Sequence, residues 1–527
     1  MKIEHLFFKA CSSGNVRLVK YLIGLGEDIH SEVNGDIPLQ SCVESGNVHL
    51  VKYLVEHGAD INKIIYNPTS LIIACTKGYE NMVRYLVDIN KEFLGRNTPL
   101  FIACYEGFEN IVKYLVECGA DVNKKNKRGY SPLLYVCKEK NEHLIKYFVE
   151  HRADINTSDN EGRNPLYFAC TENFENIIKY LVEQGANINK QDNDGLTSLL
   201  IAFEKKNENI IKYLVEYGAD TNKQNNKGLT PLFITCEKEN EKMIKYLVEH
   251  GADINKESNY GHTPLYIACT NDFKNIVKYL VEHGADVNRE STVGHSPLFN
   301  ACEYGNEHLV KYLVEHRADI NKPDNGGRTP LHVACIKGFE NIIKYLVEHG
   351  ADVNKHSTDG QTPLSSACIK GDENVIKYLV EHGADINKQC FDGKTPLFIA
   401  CKNENETAVK YLVGHGADIN KEDNEGNTPL MEASNNEFET IVAYLVEHGA
   451  NVNKENKYGR TPLFKACENS YENIAKYLVD YGAYINKKDH NGVTPLIEAL
   501  DNGYETIVIY LLGCGANNIF KKRKITI

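Results

Sequence analysis

Apolar and polar positions along this chain fall into a repeating pair of patterns, one short and one longer. Residues 257–289 read ESNYGHTPLYIACTNDFKNIVKYLVEHGADVNR. In the second half, Ile276, Val277, Leu280 and Val281 follow the i, i+1, i+4, i+5 spacing of one buried helical stripe, with polar residues between them. This predicts a helix from about Phe273 to His283, closed by Gly284 in the left-handed conformation that most residues avoid. The first half predicts a shorter helix from Pro264 to about Thr270, with Leu265, Ile267, Ala268 and Cys269 available to its buried side. Thr263 caps it, and Pro264 suits its first position because no amide hydrogen is needed there. Asn259-Tyr260-Gly261 reads as the turn before it.

The pattern recurs. The leucine of the phrase TPL stands at Leu100 and then at every thirty-third residue to Leu496, and Leu71, Leu39 and Phe7 continue the series upstream at intervals of 29, 32 and 32. KYLVEHGAD is spelled identically from Lys52, Lys245, Lys278, Lys344 and Lys377, with near-copies such as KYFVEHRAD from Lys146. About sixteen units cover residues 1–520 as one continuous array, leaving 521–527 as a basic tail. Two short helices cannot bury their apolar faces alone, so neighbouring units must share a core. Each copy then meets the same neighbour geometry and needs the same residues.

The period, the TPL helix start, the short-helix/long-helix pair and the GADVN exit resemble the ankyrin repeat. That resemblance implies an all-α solenoid of stacked helix-turn-helix units with short β-turn or hairpin loops, its first and last repeats acting as caps. Departures are specific. The family's histidine after TPL survives only as His332; Phe101, Tyr167, Phe233, Tyr266, Phe299 and Phe398 replace it elsewhere, with Ser365, Met431 and Ile497 as further variants. Those units are expected to lose a polar brace and gain apolar surface. The third repeat is shortened near 88–97, which predicts an irregular loop.

Composition narrows the function. The formal charge of −13 argues against a broad phosphate-binding surface and hence against nucleic acid as partner. No apolar run is long enough to insert in a membrane. The opening MKIEHLFFKACSSGN lacks the features of a signal peptide. Twelve of the sixteen cysteines occupy one repeat position, as in Cys75, Cys104, Cys269 and Cys401. Copies about 10 Å apart, one helix diameter, cannot be bridged. They read as buried thiols of a reducing compartment, the cytoplasm, while Cys118, Cys390 and Cys514 lie off the pattern as candidates for exposure. Lys521-Lys522-Arg523-Lys524 resembles a minimal nuclear import signal, although a solubilising tail explains it as well.

Chemistry finds little foothold. Phosphate loops, HExxH, CxxC and GxSxG are missing, so no catalytic residue, metal site or cofactor is expected. The histidine column His57, His151, His250, His283, His316, His349, His382, His415 and His448 is spaced by about a helix diameter, too widely to converge on a metal. It reads as complementing the negative end of each second helix. Glu175–Lys179 and Glu340–Lys344 are i, i+4 pairs of an outer, solvated face.

What varies between units is the turn tips and the residues closing the first helix. In ankyrin-like arrays these line the concave face that grips partners. The resemblance therefore implies a monomeric, non-catalytic scaffold or adaptor for partner proteins; the alternative is a structural or elastic tether. The candidate partner contacts are Lys127, Arg128, Tyr130, Arg163, Tyr260, His262, Val293, His295, Tyr304, Arg328, Phe391 and Tyr458. Interfaces favour such aromatic and arginine anchors, and the arginines present planar donors for a partner's carboxylates.

Overall fold

The structure is a computed structural model that describes residues 3–33, 35–61, 69–87 and 98–517. The shortened loop near 88–97 and the tail 521–527 lie outside the described residues. Among the described residues thirty-two helices form sixteen pairs, the second helix the longer in every pair but the first and third, and there is no strand beyond one isolated bridge, Val33–Asp36. The chain divides into two compact units, Met1–Asp253 and Ile254–Ile527, each holding eight helix pairs. Repeats are numbered below by helix pair.

Repeat nine shows why these residues make these elements. Thr263 is extended, and its Oγ1 accepts the Tyr266 amide at 3.1 Å, satisfying one of the free N–H groups of the helix Pro264–Thr270. Asp272 then adopts φ +57° so that the Phe273 amide reaches the Ala268 carbonyl at 3.0 Å and the chain reverses. Eight repeats place glycine at this reversal, but Lys140, Asn173, Lys206, Glu239, Asp272, Glu404, Glu437 and Ser470 hold the same left-handed backbone without it. The second helix, Lys274–Glu282, buries Ile276, Val277 and Leu280. Gly284 follows at φ +95°.

Within each unit the core is a row of first helices packed side by side, with the second helices behind them. Two ladders on the second-helix side explain the recurring KYLVEHGAD. In one, a tyrosine hydroxyl donates to the carbonyl of the lysine one repeat earlier while that lysine's ammonium sits over the tyrosine ring. Examples are Tyr246 on Lys212 (3.3 Å, 5.8 Å to the ring centre), Tyr378 on Lys344 (3.4 and 5.9 Å) and Tyr444 on Lys410 (3.4 and 5.9 Å). In the other, each loop asparagine bridges to the next loop: Asn321 accepts the Asp352 amide at 2.8 Å and donates to the Gly350 carbonyl at 3.1 Å.

The nine column histidines are helix-end caps. Each Nδ1 lies 2.7–2.8 Å from the carbonyl of the tyrosine four residues earlier, and each ring lies 3.9–4.1 Å from that tyrosine's ring. Nδ1–H thus donates to a carbonyl of the last helical turn that also accepts the histidine's own backbone amide at 3.1–3.2 Å.

Two expectations are corrected. Residues after TPL do not add apolar surface: Phe101, Phe233, Tyr266, Phe299, Phe398 and Met431 are buried, and Tyr167 and Ile497 are half-buried. Three of the rings pack under their own turn tips: His262 stacks on Tyr266 and His295 on Phe299, each at 4.3 Å, and the Lys394 ammonium lies 5.9 Å above Phe398. Cys390 is buried as well, because Ser365, small at the position where neighbours carry a ring, leaves room for its thiol, which donates to Ser365 Oγ at 3.8 Å. Of the other two off-pattern thiols, Cys118 is half-exposed and Cys514 exposed.

Candidate partner-binding groove

Turn tips and first-helix ends form the surface on which neighbouring repeats differ. The tips are not floppy. Within one tip, the Gly261 amide donates to Ser258 and the Ser258 amide to the His262 carbonyl, each at 2.9 Å. Between tips, Thr292 donates to the Tyr260 carbonyl (2.9 Å), Asn325 to Val293 (3.2 Å), Thr358 to Gly326 (2.8 Å) and Phe391 to Asp359 (3.0 Å). Successive tips are therefore held in register by backbone bonds, whatever side chains they display.

Eight of the twelve candidate contacts lie in the second unit, six of them gathered on repeats nine to eleven. Tyr260 is 64% exposed, and Val293 and Tyr304 are also exposed. His262 is half-buried and stacked on Tyr266 at 4.3 Å. His295, also half-buried, has Nδ1 3.9 Å from Glu303 and Nε2 3.8 Å from Asp324. Burial lowers both imidazoles below the usual histidine range; the neighbouring His295 lowers His262 further, whereas Glu303 and Asp324 oppose the shift at His295. Arg328 is exposed, but its Nε and Nη2 donate to buried Asp324 at 2.9 and 2.7 Å. Phe391 and Tyr458 stand exposed on repeats thirteen and fifteen, with the Tyr458 hydroxyl donating to Glu425 at 2.8 Å.

The remaining four lie in the first unit, on repeats five and six. Lys127 and Arg128 are exposed at one tip and Tyr130 is half-buried beside Phe168. Arg163 is committed within the chain: it pairs with Asp159 at 2.7 Å and Glu161 at 2.6 Å, and donates to the Tyr130 hydroxyl at 3.1 Å. Arg163 and Arg328 thus meet carboxylates of their own tips.

One concavity on this surface was not legible in the sequence. A cleft of about 450 Å³ lies between the tips and first helices of repeats twelve and thirteen, lined among others by Ile369, Phe391, Ile399 and Lys402. Of these, the sequence pointed only to Phe391. The available signal was the succession Ile336-Lys337, Ile369-Lys370 and Lys402-Asn403 at one register of three consecutive repeats, the last lysine standing where the other two carry isoleucine.

A family model described as ankyrin repeats (3 copies) matches residues 4–65, 64–126, 100–192, 133–225, 199–291, 288–357, 351–423, 417–489 and 455–522. The chain belongs to the ankyrin-repeat family. A comparison with curated proteins gives no match. Ankyrin repeats are generally protein–protein interaction modules, and this ankyrin-repeat chain shows the division of labour such a role needs, a recurring core beneath varied tips. Among the described residues no group of three His, Cys, Asp or Glu is placed to hold a metal ion, and no helix is long and apolar enough to cross a membrane.

Proposed function

We propose that this protein is a non-catalytic scaffold or adaptor whose sixteen repeats act as one array and grip partner proteins on the tips and first-helix ends. One observation carries the reading: exposed, non-recurring side chains such as Tyr260, Val293 and Phe391 stand on a backbone-bonded row of tips, with Tyr304 exposed at a first-helix end. Pre-ordered aromatic anchors lose little conformational freedom on binding, which favours affinity at a modest contact area. The net charge of −13 favours protein over nucleic acid as partner. Fourteen buried free thiols suit a reducing compartment such as the cytoplasm.

Capture of partners by the full chain, followed by mapping with variants, tests this reading. Tyr260→Ala with Tyr304→Ala should weaken capture of a partner about tenfold or more while the helical circular-dichroism signal stays unchanged. A protein whose role depended only on total length, as a tether's does, would keep its partners after these changes. That outcome would sink the scaffold reading.

A further inference from the structure

We propose that residues 518–527, which lie outside the described residues, dock on the outer face of repeat sixteen and cap the stack. The contact is made within the chain, so it stands or falls apart from partner binding on the groove.

Repeat sixteen turns an apolar face outward, where the last unit of a stack ordinarily needs a polar one. Leu500 stands where most repeats carry cysteine, and Ile509 where most carry lysine. Ile509 is 70% exposed, and Ile497, Leu500 and Val508 are half-buried. Their counterparts Phe398, Cys401 and Val409, covered by repeat fourteen, are buried. A lysine at the Ile509 position would hold its ammonium over the following repeat's tyrosine, as Lys344 does over Tyr378 at 5.9 Å. An isoleucine there suits an apolar cover instead.

The same face is acidic. Asp501 and Glu505 are exposed and form no ion pair among the described residues. Both positions face a following repeat: Thr270, at the register of Asp501, accepts from Asn300, and Glu307, at the register of Glu505, accepts from Asn341 at 3.1 Å. Elsewhere a lysine one turn on neutralises that glutamate, as Lys311 does Glu307 at 2.6 Å; Ile509 cannot. Residues 487–517 hold two lysines, Lys487 and Lys488, against four carboxylates. The neighbouring charges, Arg460, Lys465 and Lys476 against Glu455, Glu468 and Glu472, cancel. Repeat sixteen is left net negative.

The segment that the chain supplies at this face has the complementary character. Residues 518–527 read NIFKKRKITI, four cations and no acidic side chain between two apolar pairs. Asn486 sets its course: it accepts the Asn517 amide at 2.7 Å and donates to the Gly515 carbonyl at 3.4 Å, the rung that leads earlier loops into the next repeat. Ten extended residues reach about 33 Å, and two packed helices are about 20 Å across. Tethering gives the segment an effective concentration of about millimolar, which favours it over a second copy or a free partner.

The chain has no tryptophan, so Phe520→Trp places a single reporter in this segment. In the native full chain its emission should be blue-shifted, and its acrylamide quenching slower, than in the urea-unfolded chain. Asp501→Lys with Glu505→Lys should abolish the shift while the helical circular-dichroism signal holds, and adding Lys521→Glu, Lys522→Glu and Lys524→Glu should restore it. Ile509→Lys, the residue that other repeats carry, should also diminish it. Glu282→Lys with Glu315→Lys, an equal charge change on repeats nine and ten, should leave it intact. Emission that is the same in the native and unfolded chains overturns the inference, as does a shift that ignores the repeat-sixteen variants. A shift that fades on dilution would assign the face to a second copy and likewise overturn it.

Discussion

Arg317 holds φ +68° at the place where most repeats put glycine, and its amide and carbonyl make the same bonds as theirs: Arg317 N–H to Val314 at 3.1 Å, and Asn288 Nδ2 to Arg317 O at 3.2 Å. A Cβ built on the equivalent Gly350 meets nothing within 4 Å. Space is open there, so only the backbone conformation opposes a side chain, by about 1 kcal/mol. Arg317→Gly should therefore stabilise repeat ten by roughly 1 kcal/mol, read as slower amide exchange in that repeat. Gly360 is the opposite case. Its φ is +81° and a Cβ would stand 2.5 Å from the Phe391 amide nitrogen, which is itself bonded to Asp359. Gly360→Ala should cost about 1–3 kcal/mol and disturb the cleft. His332 adds a pH dependence. Its Nδ1 accepts the Thr329 amide at 3.1 Å and its Nε2–H donates to the Gln361 carbonyl at 3.0 Å, so the neutral ring is the one that fits. Burial lowers its pKa, opposed by the Gln361 carbonyl, Asp324 and Asp359, while Arg328 lowers it further. The unfolded chain thus takes up this proton first: the contribution is complete above about pH 6.5 and is lost as pH falls through the lower native value. His332→Phe, the residue type at Phe299 and Phe398, should flatten the dependence of the urea midpoint on pH between about 7 and 5.

At the scale of the element, the lysine–tyrosine ladder shows what happens when one rung is missing. Repeat fourteen carries Ala443 in place of lysine, and Tyr477 turns its hydroxyl to Glu447 at 3.4 Å. A shallow cleft of about 320 Å³ opens beside Glu439, Ala443 and Tyr477. Ala443→Lys should fill it, place an ammonium over Tyr477 and pair with Glu439 one turn back, raising stability by about 0.5–1 kcal/mol. A matching rise in the midpoint of denaturant unfolding checks this, and an unchanged midpoint would mean that the rungs contribute geometry without energy. The first helices behave as core elements. Phe398, fully enclosed, should cost about 3–5 kcal/mol when truncated to alanine.

For the molecule as a whole, stability is a sum over neighbouring repeats, so opening is local before it is global. The thiols report this directly. Cys514 is exposed and Cys118 half-exposed, while the other fourteen cysteines are buried. In native conditions a thiol reagent should consume one group at once and a second slowly, with the rest reacting only as repeats open or denaturant is added. Burial also lifts thiols such as Cys75 to about 12, so their thiolate fraction near neutrality is negligible even on brief exposure. Rapid reaction of several more groups would contradict the packing described.

The sequence by itself determined the period, the helix pairs, the caps such as Thr263 and the role of the histidine column, because each follows from contacts within about five residues or from positions that every repeat shares. Tertiary structure alone decided which non-recurring side chains remain free. Cys390 is hidden because Ser365, twenty-five residues earlier, is small; Arg328 meets its own tip's Asp324; and Ile369 stays in water at the mouth of a cleft completed by the next repeat's Phe391 and Ile399. Exposure at any position depends on the side chains of the neighbouring repeat, about thirty residues away along the chain but in contact across the stack, and no local pattern carries that information.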